Sequence, residues 1–489
     1  MKLRFNPLVV ARARGSLLWD ADGKEYVDFS AGWGVANVGY AHPRVLARTA
    51  RQAERLGFLS TITMMNEESV ALAERLKSLV PGGDGMKVWY GHSGSDANEF
   101  IAKIVPMATG RPHILTFTGS YHGQTMGAYG MSGHPSQSHF IAGAGVLKLP
   151  YPYCYRCPFG RKRETCGMFC LDYIGEYVLK DVIPAGKAGA VVIEAIQCDG
   201  GDVPPPEGFL RGLRRLCDRN GMMLIIDEVK IGFGRTGRFF GFEWEGIVPD
   251  AVVMGKPMGG GHPLSAVVGR ADLMDAGTGL HLFTTAGNPL ACAASLETIA
   301  IIEDEGLTEQ AGRMGTLLMD GLDRLKQKYA CIGDVRGKGL VIGVELVDAD
   351  GPEGMAERFA SDGFAGLAER LASDGPAGTA ECLASDGPAG TAGQPAPAER
   401  LASDGPAGMA RQPAPAERLA ALVSYRAFEL GLIFYCTGIH SNVLELTPPL
   451  VLTEDEAGRA LSLIDQAMED TLAGKVDEAK ALSYAGWGV

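Results

Sequence analysis

At 489 residues and 46% apolar content, the chain is long enough for a large cored domain and a smaller one. It carries 58 acidic against 45 basic residues, a net charge of −13, with no basic run long enough to track a phosphate backbone, which argues against a nucleic-acid partner. Asp20 and repeated arginines interrupt the N-terminus before a signal-peptide core could form, and no run of about 18 apolar residues follows, so a soluble, cytoplasmic protein with no membrane partner is expected.

In chain order, LLWDADGKEYVDFS over 17–30 reads as two short strands around the turn dipeptide Asp22-Gly23, an N-terminal arm. From about Asn66 to Arg270, helical stretches alternate with the short apolar runs AVVIEA, MMLIID and DAVVMG, each ending in polar or glycine residues. That is the pattern of an α/β fold with a mainly parallel sheet, whose ligands sit at the carboxyl ends of strands. Past Leu290 come a long amphipathic helix, a strand in GLVIGVELV, a helix near Glu417–Leu430 and a closing helix after Thr453. These predict an arm and part of a small α+β domain in 1–50, a large domain in 51–300 and the rest of the small domain in 301–489. An insert at 351–418 interrupts the last. It is rich in Ala, Gly, Pro, Ser and Asp, and ASDG recurs at Ala360, Ala372, Ala384 and Ala402. Its units lack the large apolar residues needed to stack, so it reads as a duplicated low-complexity surface excursion with no catalytic role.

Ten cysteines are too dilute for a disulfide scaffold. Four of them, Cys154, Cys157, Cys166 and Cys170, are spaced C-x2-C-x8-C-x3-C. They fit either a tetrahedral thiolate site for zinc or a surface loop with free thiols.

Three separated features carry chemistry. Lys256 follows the apolar strand ending in Val-Val-Met-Gly255 and precedes Gly259, Gly260 and Gly261. An amine at low dielectric near another cation loses its proton and attacks an aldehyde, the route to a Schiff base, and glycines let backbone approach a cofactor closely. Asp227 closes the strand LIID, where a carboxylate costs several kcal/mol unless partnered, and a protonated pyridine nitrogen is such a partner. Ser93-Gly94-Ser95 opens the helical stretch DANEFIAKIVPMATGR, so its backbone N–H groups and the positive helix end form a cradle for an anion such as a phosphate monoester. The glycine-bracketed turn GSYHG supplies Tyr121 and His122, an aromatic face for a heterocycle. The bland counterparts are a snorkelling lysine, a solvated loop acid, an ordinary Ser N-cap and a core tyrosine.

Taken together and in order, SGSDANE, GSYHG, IIDEVKIGFGRTG, GKPMGGGHPLSA and HLFTTAGNPLACAASL resemble the motifs of the class III pyridoxal-phosphate-dependent aminotransferases. The resemblance spans the chain apart from the insert, and Asp227 precedes Lys256 by 29 residues, as that family expects. It implies the fold type I transferase architecture and the cofactor pyridoxal 5′-phosphate (PLP). It further implies that Ser93, Gly94 and Ser95 hold the phosphate, with Thr284 reaching in from the partner of an obligate homodimer. Tyr121 would cover one ring face and Val229 the other, with Asp227 on the ring nitrogen and His122, Glu194 and Lys230 also around the cofactor. Lys256 would hold the resting Schiff base and then move the substrate proton.

The substrate half departs from the family. Lys230 stands where many members carry a glutamine on the cofactor's phenolic oxygen; there it favours the phenolate, lowers the Schiff-base pKa or points to solvent. Asp199, in IEAIQCDGGD, replaces the glutamate that commonly pairs with a carboxylate-gripping arginine, and Glu445 in Asn442-Val443-Leu444-Glu445 stands where that arginine is expected. Free acids at Asp199 and Glu445 would repel a carboxylate and prefer an amine or hydroxyl-bearing tail, bounded by Trp33, with Arg235 or Arg238 as replacement clamps. The main expectation is amino transfer between an amine or amino-acid donor and a keto-acid or aldehyde acceptor. The nearest competitor is an amino-acid racemase or epimerase, whose second acid/base opposite Lys256 would be Asp199; a lyase or decarboxylase on the same cofactor comes third.

Overall fold

A computed structural model of the protein describes residues 5–139, 145–277, 279–348 and 413–485. Contacts divide the chain into two units, 1–347 with 415–489, and 348–414. The repeats of the insert lie outside the described residues. The first unit leaves off at Val347 and resumes at Pro415, which are joined by an antiparallel bridge; the following helix, Glu417–Leu430, begins where the sequence places it.

The fold is α/β. Its centre is a seven-stranded sheet in the order Met86–Gly91, Ser265–Arg270, Ala251–Met254, Met223–Asp227, Ala188–Glu194, His113–Phe117 and Val146–Leu149. The three apolar runs singled out in the sequence are its adjacent central strands, all parallel and fully or almost fully buried. That burial on both faces is why they read as continuous apolar runs and not as alternating patterns. Only Ser265–Arg270 runs antiparallel to its neighbours.

Two four-stranded sheets accompany the large one. The N-terminal hairpin, Leu17–Asp20 with Glu25–Asp28, forms as expected, and Asp20 Oδ1 accepts from the N–H groups of Asp22 and Lys24 to close the turn. Val10–Arg14 adds a strand on one side, and Leu432–Ile433 pairs in parallel on the other, tying the first residues to the C-terminal part. The other small sheet has the order Ile332–Lys338, Val341–Leu346, Val443–Leu446, Tyr435–Thr437. The single long amphipathic helix expected past Leu290 is instead two helices, Pro289–Asp304 and Leu307–Lys328. Gly306, at φ 61, breaks them, and the first is buried on most of its surface, so its apolar residues show no single stripe. Thr453 caps the closing helix Glu454–Leu472. Among the described residues no helix is long and apolar enough to cross a membrane.

Candidate active site

The register of the central strands pairs Glu194 with Asp227 and Asp227 with Val253, so their carboxyl ends are level. Lys256 follows two residues after the strand Ala251–Met254 at φ 40, opening a single helical turn over Lys256–Gly259. A left-handed lysine costs about 1–3 kcal/mol, strain that persists only where surrounding structure imposes it and that clusters at functional sites. Here it aims Lys256 into a cavity of about 390 Å³ at the sheet end, within the size range of small-molecule sites.

Asp227 is 3% exposed and well partnered. Its Oδ2 accepts from Asn98 Nδ2 at 2.8 Å and lies 2.8 Å from His122 Nδ1, while Oδ1 accepts from the Val229 N–H at 3.0 Å. A carboxylate has room for about four such bonds, which leaves one acceptor site on Oδ1. Burial pushes the His122 imidazole toward its neutral form, but the bond to Asp227 and the charges of Asp227 and Glu194 outweigh it, and its pKa is raised. Glu194 accepts from the backbone N–H groups of Tyr121 and Cys198 at 3.3 Å each, and burial raises its carboxyl to about 8.

Across the cavity, the helix Gly94–Thr109 points its N-terminus inward. Ser93 is its N-cap: the hydroxyl accepts from Asp96 N–H at 3.2 Å, and the Asp96 carboxylate accepts from the N–H groups of His92 and Ser93. The N-cap reading of Ser93 is thus what the structure shows. The hydroxyl is spent on the cap, and the Gly94 and Ser95 N–H groups, at the positive helix end, remain to receive an anion. A Cβ on Gly94 would lie 2.7 Å from Val229 Cγ1, so only glycine lets this loop approach Val229 so closely.

Of the residues picked from sequence, Ser93, Gly94, Ser95, Tyr121, His122, Glu194, Asp199, Asp227, Val229, Lys230 and Lys256 all line this one cavity. Trp33 and Glu445 stand behind its wall, both against Lys230. The Lys230 Nζ is 5.2 Å from the Trp33 ring centroid and ion-pairs with Glu445. Trp33 sits in a left-handed turn, with φ from 46 to 78 over residues 31–34, and stacks on Tyr435 at 4.8 Å. Thr284 is exposed and does not line the cavity. Asn98 was not anticipated. Its signal is a lone amide among the buried Ala97, Phe100 and Ile101 of one helix, a position that demands a polar partner.

The expected pair of free acids needs correction. Glu445 and Asp199 are not free: Lys230, itself 6% exposed, pairs with Glu445 and lies 3.6 Å from Asp199. Lys230 therefore does not point to solvent. Neither arginine offered as a clamp serves: Arg235 is fully buried and bonds to the Leu340 and Pro448 carbonyls and Asn37 Oδ1, and Arg238 lies over the Trp244 ring. The four clustered cysteines are free and half-buried, and they line a separate cavity of about 160 Å³. Among the described residues, no group of three or more His, Cys, Asp or Glu side chains is arranged to hold a metal ion.

An amine, a buried carboxylate, an aromatic face and an N–H cradle on one cavity fit a phosphorylated pyridine aldehyde. Comparison with known proteins agrees. The family model described as "Aminotransferase class-III" matches residues 2–368. The chain is 34% identical to an alanine/serine racemase of Pyrococcus horikoshii, over 97% of this chain and 88% of that one. It is also 34% identical to a leucine/methionine racemase of Thermococcus litoralis, over 99% and 96%. Among solved structures, an amine transaminase from an uncultivated Pseudomonas species in its PLP-bound form superimposes with a TM-score of 0.76 at 28% identity, covering 95% of each chain. The cofactor is pyridoxal 5′-phosphate, and the chain belongs to the class-III aminotransferase family of PLP-dependent enzymes.

Proposed function

We propose that the protein is a PLP-dependent racemase or epimerase of amino acids with uncharged side chains. One observation carries this reading: two proton-handling groups, the Lys256 amine and the Asp199 carboxylate, line the same cavity. The similarity to two racemases over nearly the whole chain supports it. Inverting Cα requires a proton removed from one face and returned to the other, which two proton-handling groups accomplish without reorienting the substrate.

The bound cofactor supplies an electron sink for the bonds at the amine-bearing carbon. Asp227, held by Asn98, His122 and the Val229 N–H, has one acceptor site left for the ring N–H. The Gly94 and Ser95 N–H groups take the phosphate, with Ser93 fixing the helix end that presents them. Tyr121, whose turn is anchored by Glu194, covers one ring face and Val229 the other. Lys256 holds the cofactor in the resting enzyme and works at Cα through Nζ, and Asp199 works at the same carbon through its carboxylate. The exposed Thr284 completes the phosphate site of a second copy, so the active unit is a homodimer. Lys230 is engaged by Glu445 and Asp199 and is not free to grip an acidic tail, and Ile196, Ile231 and Leu264 add apolar surface to the cavity.

The test is incubation of the PLP-loaded enzyme with single enantiomers of neutral amino acids in deuterated water. Loss of chirality with deuterium at Cα and no keto acid supports racemisation. The second reading, amino transfer, is favoured by the similarity to an amine transaminase over 95% of the chain and needs only Lys256 as proton carrier. Stoichiometric keto acid or aldehyde, with amino-group transfer to an acceptor, overturns racemisation in its favour.

A further inference from the structure

Lys230 is the least expected charge in the site. It extends from the segment after Asp227 into a buried cluster of acids: Glu445 from the strand Val443–Leu446, and Asp199 and Asp202 from the loop after Ala188–Glu194. Cys198, of the same loop, and Lys256 also act on it or feel its charge, and Arg235, bonded to the Leu340 and Pro448 carbonyls, is a second buried cation that feels Glu445, Cys198 and Asp202. The lysine stem is pinned. A Cβ at Gly34, where φ is 78, would lie 3.3 Å from Lys230 Cγ and 3.5 Å from its carbonyl oxygen, so the chain at Gly34 runs directly along the side chain. The Trp33 ring lies over Nζ. A residue with four rotatable bonds is thereby confined to one position, and the entropy of that confinement must be offset by what it holds.

We propose that Lys230 is a positioning residue: paired with Glu445 and Asp199, it fixes the Asp199 carboxylate as an anion at the cavity wall shared with Lys256, so that the two proton-handling groups keep complementary charge states. This rests on the reading of Asp199 as the second acid/base. Charge bookkeeping supports it. Neither Asp202 oxygen has a hydrogen-bond partner, and burial, with Glu445 next, raises its carboxyl well above the usual range, so it stays neutral. Lys230 feels burial pushing its pKa down, but Glu445, Cys198, Asp199 and Asp202 raise it, and it stays charged. Lys230 is then the direct ionic partner of both remaining carboxylates, paired with Glu445 and 3.6 Å from Asp199. Without it, Arg235 still feels the charge of Glu445, but its hydrogen bonds go to the Leu340 and Pro448 carbonyls and to Asn37, so both acids lose their paired cation, which is costly in a buried site. The Lys256 amine is affected in the opposite sense: burial lowers its pKa, and the charge of Lys230 lowers it further.

The experiment compares Lys230→Met, Lys230→Arg and Glu445→Gln enzymes, loaded with PLP and checked for folding by circular dichroism. The visible absorbance band of each is titrated with pH, which reports the charge around Lys256 without requiring turnover. The Cα exchange rate is followed over the same range. Lys230→Met should move the spectral midpoint upward by on the order of one pH unit, raise the pH needed for the Asp199-dependent limb of exchange, and lower kcat far more than it changes KM. Lys230→Arg should restore both profiles. Glu445→Gln, which leaves the cation less compensated, should move the spectral midpoint downward and keeps the question open to test if Lys230→Met fails to fold. Unmoved midpoints in the folded variants overturn the proposal. Failure of the Asp199 reading is separable: Asp199→Asn would then leave exchange intact, whatever Lys230 does to the spectrum.

Discussion

His122 Nδ1 and Asp227 Oδ2 lie 2.8 Å apart in the protein interior, the imidazole fully covered and the carboxylate 3% exposed. An ionised carboxylate only accepts, so the proton of this bond sits on the imidazole. The ring's other nitrogen, Nε2, is buried with no hydrogen-bond partner. His122 is therefore there to hold Asp227, as Asn98 does on the same oxygen, and the two together decide where the second oxygen points.

Asn98→Ala removes one of the donors that orient Asp227. A hydrogen bond to a charged group contributes about 1.5–3 kcal/mol, so PLP affinity should fall by roughly one to two orders of magnitude at that energy, with no change in the helix content of the protein. Spectrophotometric titration of the apo-enzyme with PLP checks this; unchanged affinity would show that Val229 and His122 suffice to orient Asp227.

Glu194 predicts a pH dependence of stability. Its folded carboxyl titrates at about 8 against 4.5 for the ordinary group, so the unfolded chain releases this proton first. Between pH 4.5 and about 8 deprotonation favours the unfolded state and stability declines; above that window both states are ionised and the decline from this group stops. Glu194→Gln should flatten that slope in apo-protein followed by denaturant unfolding across the window. A slope identical to the parent's would remove Glu194 as its source.

The insert should be dispensable to the fold. Val347 and Pro415 are bridged neighbours, so joining Asp348 to Pro413 by a few Gly/Ser residues requires no rearrangement of the body. Shortening a closed loop gains only about 0.6 kcal/mol per halving of its length. The shortened enzyme should unfold within a few degrees of the parent and keep its kcat; loss of activity with the melting temperature intact would give the repeats a functional part.

The cluster of Lys256, Asp227, Gly94 and Ser95 on one cavity was legible in the sequence because each of these residues has a local signature. Asp227 and Lys256 sit at the ends of apolar runs, and a run buried on both faces betrays its strand and where that strand stops. Gly94 and Ser95 precede a helix whose start is marked by its cap. Asn98 was harder to see, since an amide among apolar residues announces a buried partner but not which one.

The pairing of Lys230 with Glu445 and Asp199 was not legible, and the reason is distance along the chain. Lys230 and Glu445 are 215 residues apart, on segments brought together only when the strand Val443–Leu446 takes its place in its own sheet. Read singly, Lys230 was compatible with a cofactor contact or a solvated charge, and Glu445 and Asp199 with a repulsive pair of free acids. The same separation hid the burial of Arg235, whose partners Asn37, Leu340 and Pro448 come from three remote segments.

By itself, then, the sequence determined the α/β class, the family and the cofactor, because strand burial, helix capping and the lysine–aspartate spacing are all expressed within short windows of chain. Only the tertiary structure decided which charges meet at the cavity wall. A buried lysine and three acids have no defined ionisation until packing sets which of them touch and how much water reaches them, and that packing joins residues with no local relation to one another.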